Sequence, residues 1–179
     1  MISLSELKFN SLFFALWPDQ EVRSELTRVQ QKVCGQNGRL HHPQDLHMTL
    51  VFLGRVTPEQ LSCVRQVGDA VVAELFTLEL ERTGFWKRPR ILWCGPKDTP
   101  QQLAQLVQNL QQGLCACGFQ PEQRTFRPHV TLARKVKQAD ADCLDESLLW
   151  TPRSFVLAGS HSGSELPRYR ILNQWELHP

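Results

Sequence analysis

The hydrophobic and polar positions in the first third of the chain predict a strand, a helix and a second strand. Residues 12–17 form an apolar, aromatic run that ends at Pro18, which is typical of a buried strand. A helix is expected next, because Asp19 is a suitable N-cap and apolar residues then recur at helical spacing as far as Gly35. Residues 45–54 are again rich in large apolar side chains and end at glycine, so they are predicted to form a strand.

Two later segments share a pattern that is typical of a helix start. Thr57 is followed by a proline and then by Gln60, which predicts an N-cap, a first-turn proline and a capping box. A near copy begins at Thr99, which we expect to cap a helix that ends before Gly118. Each predicted helix carries an apolar stripe, so each is expected to bury one face against the rest of the protein.

The rest of the chain is predicted to consist mostly of strands. The acidic stretch 138–147 and the turn-rich stretch 159–168 are interpreted as loops. Alternating or β-branched runs predict strands at 76–81, 91–94, 128–136, 155–158 and 169–177. This order predicts an α+β protein with antiparallel sheets and two or three flanking helices.

Composition narrows the class of protein further. The chain has 179 residues and a mass of 20.6 kDa, which fits one domain, and no low-complexity linker divides it. A net charge of +2 is too small for wrapping long duplex DNA, although a local basic site for a nucleotide end is compatible with it. No apolar run approaches the ~20 residues of a membrane-spanning helix, and the N-terminus makes a poor signal peptide. We therefore expect a cytoplasmic protein that does not contact a membrane.

The cysteines show no paired C-x-x-C spacing that would indicate a zinc knuckle. A chain of this length can build a core without disulfides, so we expect reduced, mostly buried thiols and no structural zinc. The six cysteines are Cys34, Cys63, Cys94, Cys115, Cys117 and Cys143.

The pattern His-x-Thr-Leu occurs twice, beginning at His47 and at His129, each time at the start of an apolar strand. Residues two apart on a strand face the same side, about 6.6 Å apart. Each copy therefore projects one imidazole and one hydroxyl, from Thr49 or Thr131, on a single face. The recurrence indicates an internal duplication that places two like strands around a shared axis.

Two imidazoles and two hydroxyls in one cleft suit in-line displacement at phosphorus. One imidazole can take a proton from the attacking water, and the other can give a proton to the leaving oxygen. Histidine suits both roles because its ordinary pKa, about 6.5, lets acid and base forms coexist near neutrality. This chemistry requires no metal, and the nearby His41 and His42 lack the further carboxylates or imidazoles of a metal site.

Around these motifs the chain resembles the 2H phosphoesterase superfamily, whose members carry two His-x-Thr/Ser motifs. Within it, the chain is most similar to the RNA 2′,3′-cyclic phosphodiesterase branch, also called 2′-5′ RNA ligase. The segments that carry the resemblance are 12–16, 46–54, 126–134 and 169–172, followed by Trp175.

The resemblance implies a single bilobal domain over 1–179, with two pseudo-symmetric lobes, an antiparallel sheet in each and the active site in the groove between them. It implies metal-independent hydrolysis of a terminal 2′,3′-cyclic phosphate to a 2′-phosphate. His47 is then the general acid, His129 the general base, and Thr49 and Thr131 bind the phosphate. No cofactor is expected, and the expected partners are RNA or oligonucleotide ends and nucleoside 2′,3′-cyclic phosphates, bound by a monomer.

The resemblance also suggests that the substrate base stacks near Phe14 and Arg134. Phe14 fits either face of its strand. Arg134 has the opposite strand parity to His129, so it reaches the groove only if the strand bends, bulges or ends near Ala133.

Several alternatives stay open at the level of sequence. The symmetry of the motifs permits exchange of the acid and base roles. The main activity can be that of a 2′-5′ oligonucleotide phosphodiesterase or a ligase of tRNA halves, and a non-catalytic RNA-end-binding module is a third reading. The basic segments 87–90 and 134–137 are compatible with an RNA-contacting surface and equally with a solvated charged face.

Overall fold

A computed structural model describes residues 9–34, 38–139, 143–161 and 165–179. Nine strands lie in this part of the chain: β1 (Phe9–Leu16), β2 (Arg39–Leu40), β3 (Met48–Gly54), β4 (Leu78–Trp86), β5 (Ile91–Gly95), β6 (Val130–Arg134), β7 (Cys143–Trp150), β8 (Ser154–His161) and β9 (Tyr169–Glu176). The helices are α1 (Gln20–Cys34), α2 (Pro58–Ala70) and α3 (Gln101–Cys115), and a 3-10 turn spans Pro43–Asp45. None of these helices is long and apolar enough to cross a membrane.

The strands form one large antiparallel sheet in the order β7-β4-β5-β6-β3-β1-β8-β9, with β2 paired to β6. The predicted α+β fold with antiparallel strands and two or three helices is confirmed. Two groups of four strands meet where β3 lies beside β6, and there Met48 pairs with Val130. The sheet is therefore continuous, and the division of 1–179 into two lobes stays a prediction.

The predicted starts of α1 and α2 are confirmed by their caps. The Asp19 side chain accepts a hydrogen bond from the backbone N–H of Val22 at 2.9 Å. Thr57 and Gln60 form the expected reciprocal capping box.

The cap predicted at Thr99 is wrong. Pro100 takes the N-cap position, with no side-chain hydrogen bond, and α3 begins one residue later than the analogy with α2 suggests. The α3 stripe nevertheless lies in the core, with Leu103, Leu106, Val107, Leu110 and Leu114 all buried.

The loop predicted over 138–147 is also wrong, because β7 begins within it. This strand lies at the edge of the sheet and pairs with β4. Its exposed Asp145 and Glu146 are typical of the charges that keep an edge strand from pairing with another chain. Because of these charges, the sequence pattern resembles that of a loop.

The expectation of six reduced thiols is wrong for one pair. Cys63 on α2 and Cys117, two residues after α3, form a disulfide with Cα atoms 5.7 Å apart. Packing of α2 on α3 brings the two residues together, and no local spacing reveals this. Cys34 and Cys94 are free and buried as expected, and burial raises their pKa values to about 11 and about 12.

Candidate active site

The two His-x-Thr-Leu motifs meet at the junction of β3 and β6. Met48 lies opposite Val130 in antiparallel register, and both side chains are fully buried on the core side of the sheet. Because side chains alternate along a strand, the histidine and threonine on either side of each buried residue project to the opposite face.

This register relates the two motifs by an approximate two-fold axis. Continued by one residue in each direction, it sets His47 across from Thr131 and Thr49 across from His129. All four side chains are half-buried. The structure thus brings the predicted imidazoles and hydroxyls onto one face, with the histidine of each motif opposite the threonine of the other.

Each imidazole is oriented by the same local hydrogen bond. Nδ1 of His47 lies 2.7 Å from the carbonyl oxygen of Asp45, and Nδ1 of His129 lies 2.7 Å from that of Arg127. A carbonyl oxygen can only accept, so Nδ1 donates its hydrogen and the neutral ring carries its lone pair on Nε2. In both rings, Nε2 is the atom that can accept or donate the catalytic proton.

Aromatic rings surround His47. Its ring stacks on Phe13 and on Trp17, with centroids 4.8 Å and 5.1 Å away, and meets the edge of Tyr169 at 4.9 Å. These contacts fix the plane of the ring and remove water from it.

The surroundings of His129 are built by β4 and β5. Its ring meets Trp86 edge-on at 4.6 Å and Trp93 at 6.4 Å. A Cβ placed on Gly95 would lie 2.6 Å from the carbonyl oxygen of Pro128. A larger residue at Gly95 would therefore displace the backbone that carries His129.

Burial lowers the pKa of both catalytic candidates. The pKa of His47 falls to about 4, mainly through desolvation, although the Asp45 carbonyl and carboxylate raise it in part. The positive charge of His129 lowers the pKa of His47 further. Desolvation is also the main cause that lowers the pKa of His129; the Arg127 carbonyl raises this pKa in part, and the Arg134 guanidinium lowers it.

Two cavities meet beside Thr49 and Phe52. One, called here the His47 cavity, has a volume of about 350 Å³ and is lined also by Arg134. The other, the His129 cavity, has a volume of about 1110 Å³. Since the two cavities share Thr49, a phosphate held there would be open to groups from both sides.

Arg134 reaches the His47 cavity through a bulge. Trp93 pairs with Thr131 and Leu92 with Ala133, so Leu132 is an extra residue on β6. After Leu132 the bulge reverses which side chains face which side of the sheet. Arg134 therefore lines the cavity, as expected for a strand that bulges near Ala133. Its Nε donates to Nε2 of His41 at 3.1 Å.

The role predicted for Phe14 is wrong. Its side chain is 0% exposed and packs against Phe155 and Trp175 in the core. Both faces of β1 are covered, and the neighbouring Phe13 is the one that stacks on His47 and lines its cavity. Phe52, which is 68% exposed between the two cavities, is the aromatic side chain most open to a ligand base here.

Asp45 is a site residue that sequence reasoning missed. The residue is 2% exposed, and its carboxylate accepts hydrogen bonds from the backbone N–H groups of Arg168 and Tyr169, at 3.0 Å and 3.1 Å. Asp45 therefore anchors the start of β9 next to His47 and holds Tyr169 against its ring. An acidic residue two positions before His47 was visible, but its partners lie far along the chain.

The basic segments 87–90 and 134–137 contribute only some of their residues to the two cavities. Arg88 lines the His129 cavity and Arg134 lines the His47 cavity, whereas Lys87 and Lys137 line neither. Within the described ranges, no group of three or more His, Cys, Asp or Glu side chains is arranged to hold a metal ion.

Comparisons with known proteins match nearly the whole chain. A family model described as the 2′-5′ RNA ligase superfamily matches residues 18–160. The RNA 2′,3′-cyclic phosphodiesterase of Escherichia coli (strain K12) is 30% identical over 169 residues, covering 93% of this chain and 96% of that protein. The protein of the same name from Archaeoglobus fulgidus is 28% identical over 148 residues, covering 80% and 82%.

Solved structures share the fold over the same extent. The crystal structure of E. coli LigT in apo form matches with a TM-score of 0.87 at 29% identity, covering 96% of this chain and 99% of that chain. E. coli LigT complexed with 3′-AMP matches with a TM-score of 0.87 at 28% identity, covering 95% and 99%.

Replacing Asp45 with asparagine should lower the free energy of unfolding by about 2 kcal/mol, because the amide offers one acceptor oxygen to two partly buried backbone N–H groups. Urea denaturation at neutral pH measures the change. Asp98→Asn, at an exposed position, is the matched control and should change the value by less than about 0.5 kcal/mol. Equal stability of the two variants would contradict the anchoring role of Asp45.

Proposed function

The chain belongs to the 2′-5′ RNA ligase superfamily, and on that premise we propose that it hydrolyses terminal 2′,3′-cyclic phosphates of RNA to 2′-phosphates. The observation that carries the proposal is the register of Met48 with Val130, which directs two imidazoles and two hydroxyls to one face. The names of the relatives and the cavities on both sides of this face support the same activity.

In the proposed reaction, a water molecule attacks phosphorus from the side of His129. Nε2 of His129 accepts the proton of the water as the new P–O bond forms. The bond from phosphorus to the 3′ oxygen breaks on the opposite side, and Nε2 of His47 donates a proton to that oxygen. The Thr49 and Thr131 hydroxyls donate hydrogen bonds to the non-bridging oxygens, on which negative charge increases in the transition state.

Neighbouring charges favour this assignment of acid and base over the exchanged one. The Arg134 guanidinium lowers the pKa of both imidazoles, whereas the Asp45 carboxylate raises the pKa of His47 alone. Burial opposes protonation of His47 in the free protein, but a phosphate anion at Thr49 attracts the imidazolium most strongly where water is excluded. Of the two imidazoles, one must be protonated for the reaction. When substrate binds, that proton is then held on His47.

The proposed substrates are RNA ends and nucleoside 2′,3′-cyclic phosphates. The complex of the similar E. coli LigT with 3′-AMP supports a nucleotide site on this fold. The two imidazoles supply both proton transfers, so the proposed reaction uses no cofactor and no metal. The monomeric state and the cytoplasmic location stay predictions.

Replacing either histidine with alanine should reduce hydrolysis of a nucleoside 2′,3′-cyclic phosphate by about 10²–10⁴-fold, since each removes one proton transfer. The measurement is the rate of nucleoside 2′-phosphate formation in excess EDTA, where the wild-type protein should keep its activity. Loss of wild-type turnover in EDTA, or full activity of either variant, would contradict the mechanism.

A 4-nitrophenyl phosphodiester separates the two roles in the same variants, because 4-nitrophenolate leaves without a proton. His47→Ala should therefore lose less activity on this substrate than His129→Ala. The opposite order would assign the acid role to His129.

The pH dependence of kcat/KM should be bell-shaped, with its maximum below about pH 6.5. The active free protein carries one charged and one neutral imidazole, and burial lowers the pKa of both. Activity falls at higher pH because the acid loses its proton, and at lower pH because the base gains one. Steady-state kinetics over pH 4–9 test this, and a rate that rises steadily through neutrality would contradict it.

A further inference from the structure

Arg134 is a positive side chain of the His47 cavity that the proposed proton transfers do not involve. It is exposed and lines this cavity together with Thr49. Its charge lowers the pKa of both His47 and His129, so the guanidinium lies within electrostatic reach of the reacting groups. A free arginine side chain samples many rotamers, and ordering it at the moment of binding weakens the binding of a ligand. A contact that fixes Arg134 beforehand would therefore favour the substrate.

The structure contains such a contact, with His41. Nε of Arg134 donates a hydrogen bond to Nε2 of His41 at 3.1 Å. Within the described part of the chain, the two terminal nitrogens of Arg134 make no hydrogen bond and no ion pair. Both nitrogens are therefore available to an anion in the His47 cavity.

The acceptor in this contact is a neutral group. An imidazole accepts at Nε2 only when that nitrogen carries no proton, which leaves the proton of the neutral ring on Nδ1. Burial is the main cause that lowers the pKa of His41, to about 3. A backbone hydrogen bond with Asp45 raises this pKa in part, and three positive neighbours lower it further: Arg134, His47 and Arg168. The ring therefore stays neutral, and able to accept, at neutral pH.

The backbone of His41 is tied to the bulge in β6. Strand β2 pairs with β6, and the N–H of His41 continues this ladder to the carbonyl oxygen of Leu132 at 2.9 Å. The Gln30 side chain donates to the carbonyl oxygens of both His41 and Leu132. The imidazole is thus carried by a segment that is fixed to the same bulge that turns Arg134 toward the cavity.

We propose that His41 is a positioning residue, which holds the Arg134 guanidinium in the wall of the His47 cavity so that its terminal nitrogens bind the phosphate of the substrate. This inference rests on the proposed function, which places the phosphate at Thr49. His41 lines neither the His47 cavity nor the His129 cavity, so it acts on the substrate through Arg134. A carboxylate in its place would orient the guanidinium but compete with the phosphate for its charge, whereas a neutral imidazole leaves that charge to the substrate.

A double-mutant cycle on kcat/KM for a nucleoside 2′,3′-cyclic phosphate tests the connection between the two residues. His41→Leu removes the acceptor and should lower kcat/KM about tenfold, because the substrate must then order Arg134 itself. In an Arg134→Ala background, the same replacement should change kcat/KM by less than about twofold. Equal losses in the two backgrounds would overturn the positioning role, since His41 would then act independently of Arg134.

Two matched variants separate loss of the contact from disturbance of the loop. Glutamine offers an acceptor oxygen at nearly the reach of Nε2, so His41→Gln should recover most of the activity that His41→Leu loses. The control is His42→Asn. His42 is also half-buried, but it accepts from the N–H of Gln44, and asparagine keeps an acceptor for that N–H. A loss in either variant as large as that in His41→Leu would overturn the inference.

Heteronuclear NMR of the wild-type protein tests the contact without any replacement, and so does not depend on whether His41→Leu folds. We expect His41 to be neutral at pH 7 with its proton on Nδ1, and we expect the Nε–H of Arg134 to be protected from exchange with solvent. A His41 ring that carries a proton on Nε2 would overturn the inference, because it could not accept this hydrogen bond.

Failure of the proposed function has a different signature. A wild-type protein that does not hydrolyse the nucleoside cyclic phosphate contradicts that function, whatever the state of His41. Calorimetric titration with a nucleoside 2′-phosphate measures the positioning of Arg134 without turnover. Weaker binding to His41→Leu than to His42→Asn supports the inference, and equal binding overturns it.

Discussion

The candidate site depends on one pair of residues in the centre of the sheet. Met48 and Val130 pair across the junction of β3 and β6, and both are fully buried. Their burial fixes which face the flanking histidines and threonines occupy. A slip of one residue in either strand would turn one imidazole and one hydroxyl into the core. The apolar residue inside each motif therefore determines the geometry as much as the polar residues do.

Polar contacts outside the two strands hold this junction in place. The buried Gln30 side chain of α1 donates to the carbonyl oxygens of His41 and Leu132, at 2.9 Å and 2.7 Å. It thus ties the bulge in β6 to the segment that leads to His47. Asp45 makes a comparable connection to the start of β9. Buried polar groups are costly unless they are hydrogen-bonded, so these two residues specify one arrangement of the backbone around the site.

Features that depend only on residues close together in the chain could be predicted from the sequence. Caps at Asp19 and Thr57, the apolar stripe of α3 and the shared face of each histidine and threonine follow from short-range geometry. The choice of Phe13 over Phe14 was not accessible, because both sides of β1 are covered by elements distant in sequence.

Other features depend on contacts between distant segments. The bulge that turns Arg134 toward the His47 cavity is visible only in the pairing of β6 with β5. The Cys63–Cys117 disulfide depends on the packing of α2 against α3. Long-range contacts of this kind produce no periodic pattern in the sequence. They therefore account for the residues that were missed or misplaced when the sequence alone was considered.

A crystal structure with a nucleoside 2′,3′-cyclic vanadate, which imitates the five-coordinate transition state, tests the central claim most directly. We expect Nε2 of His47 and Nε2 of His129 each to lie within about 3 Å of oxygens on opposite sides of the vanadium. A complex in which only one imidazole reaches the vanadate, or both contact the same oxygen, would contradict it.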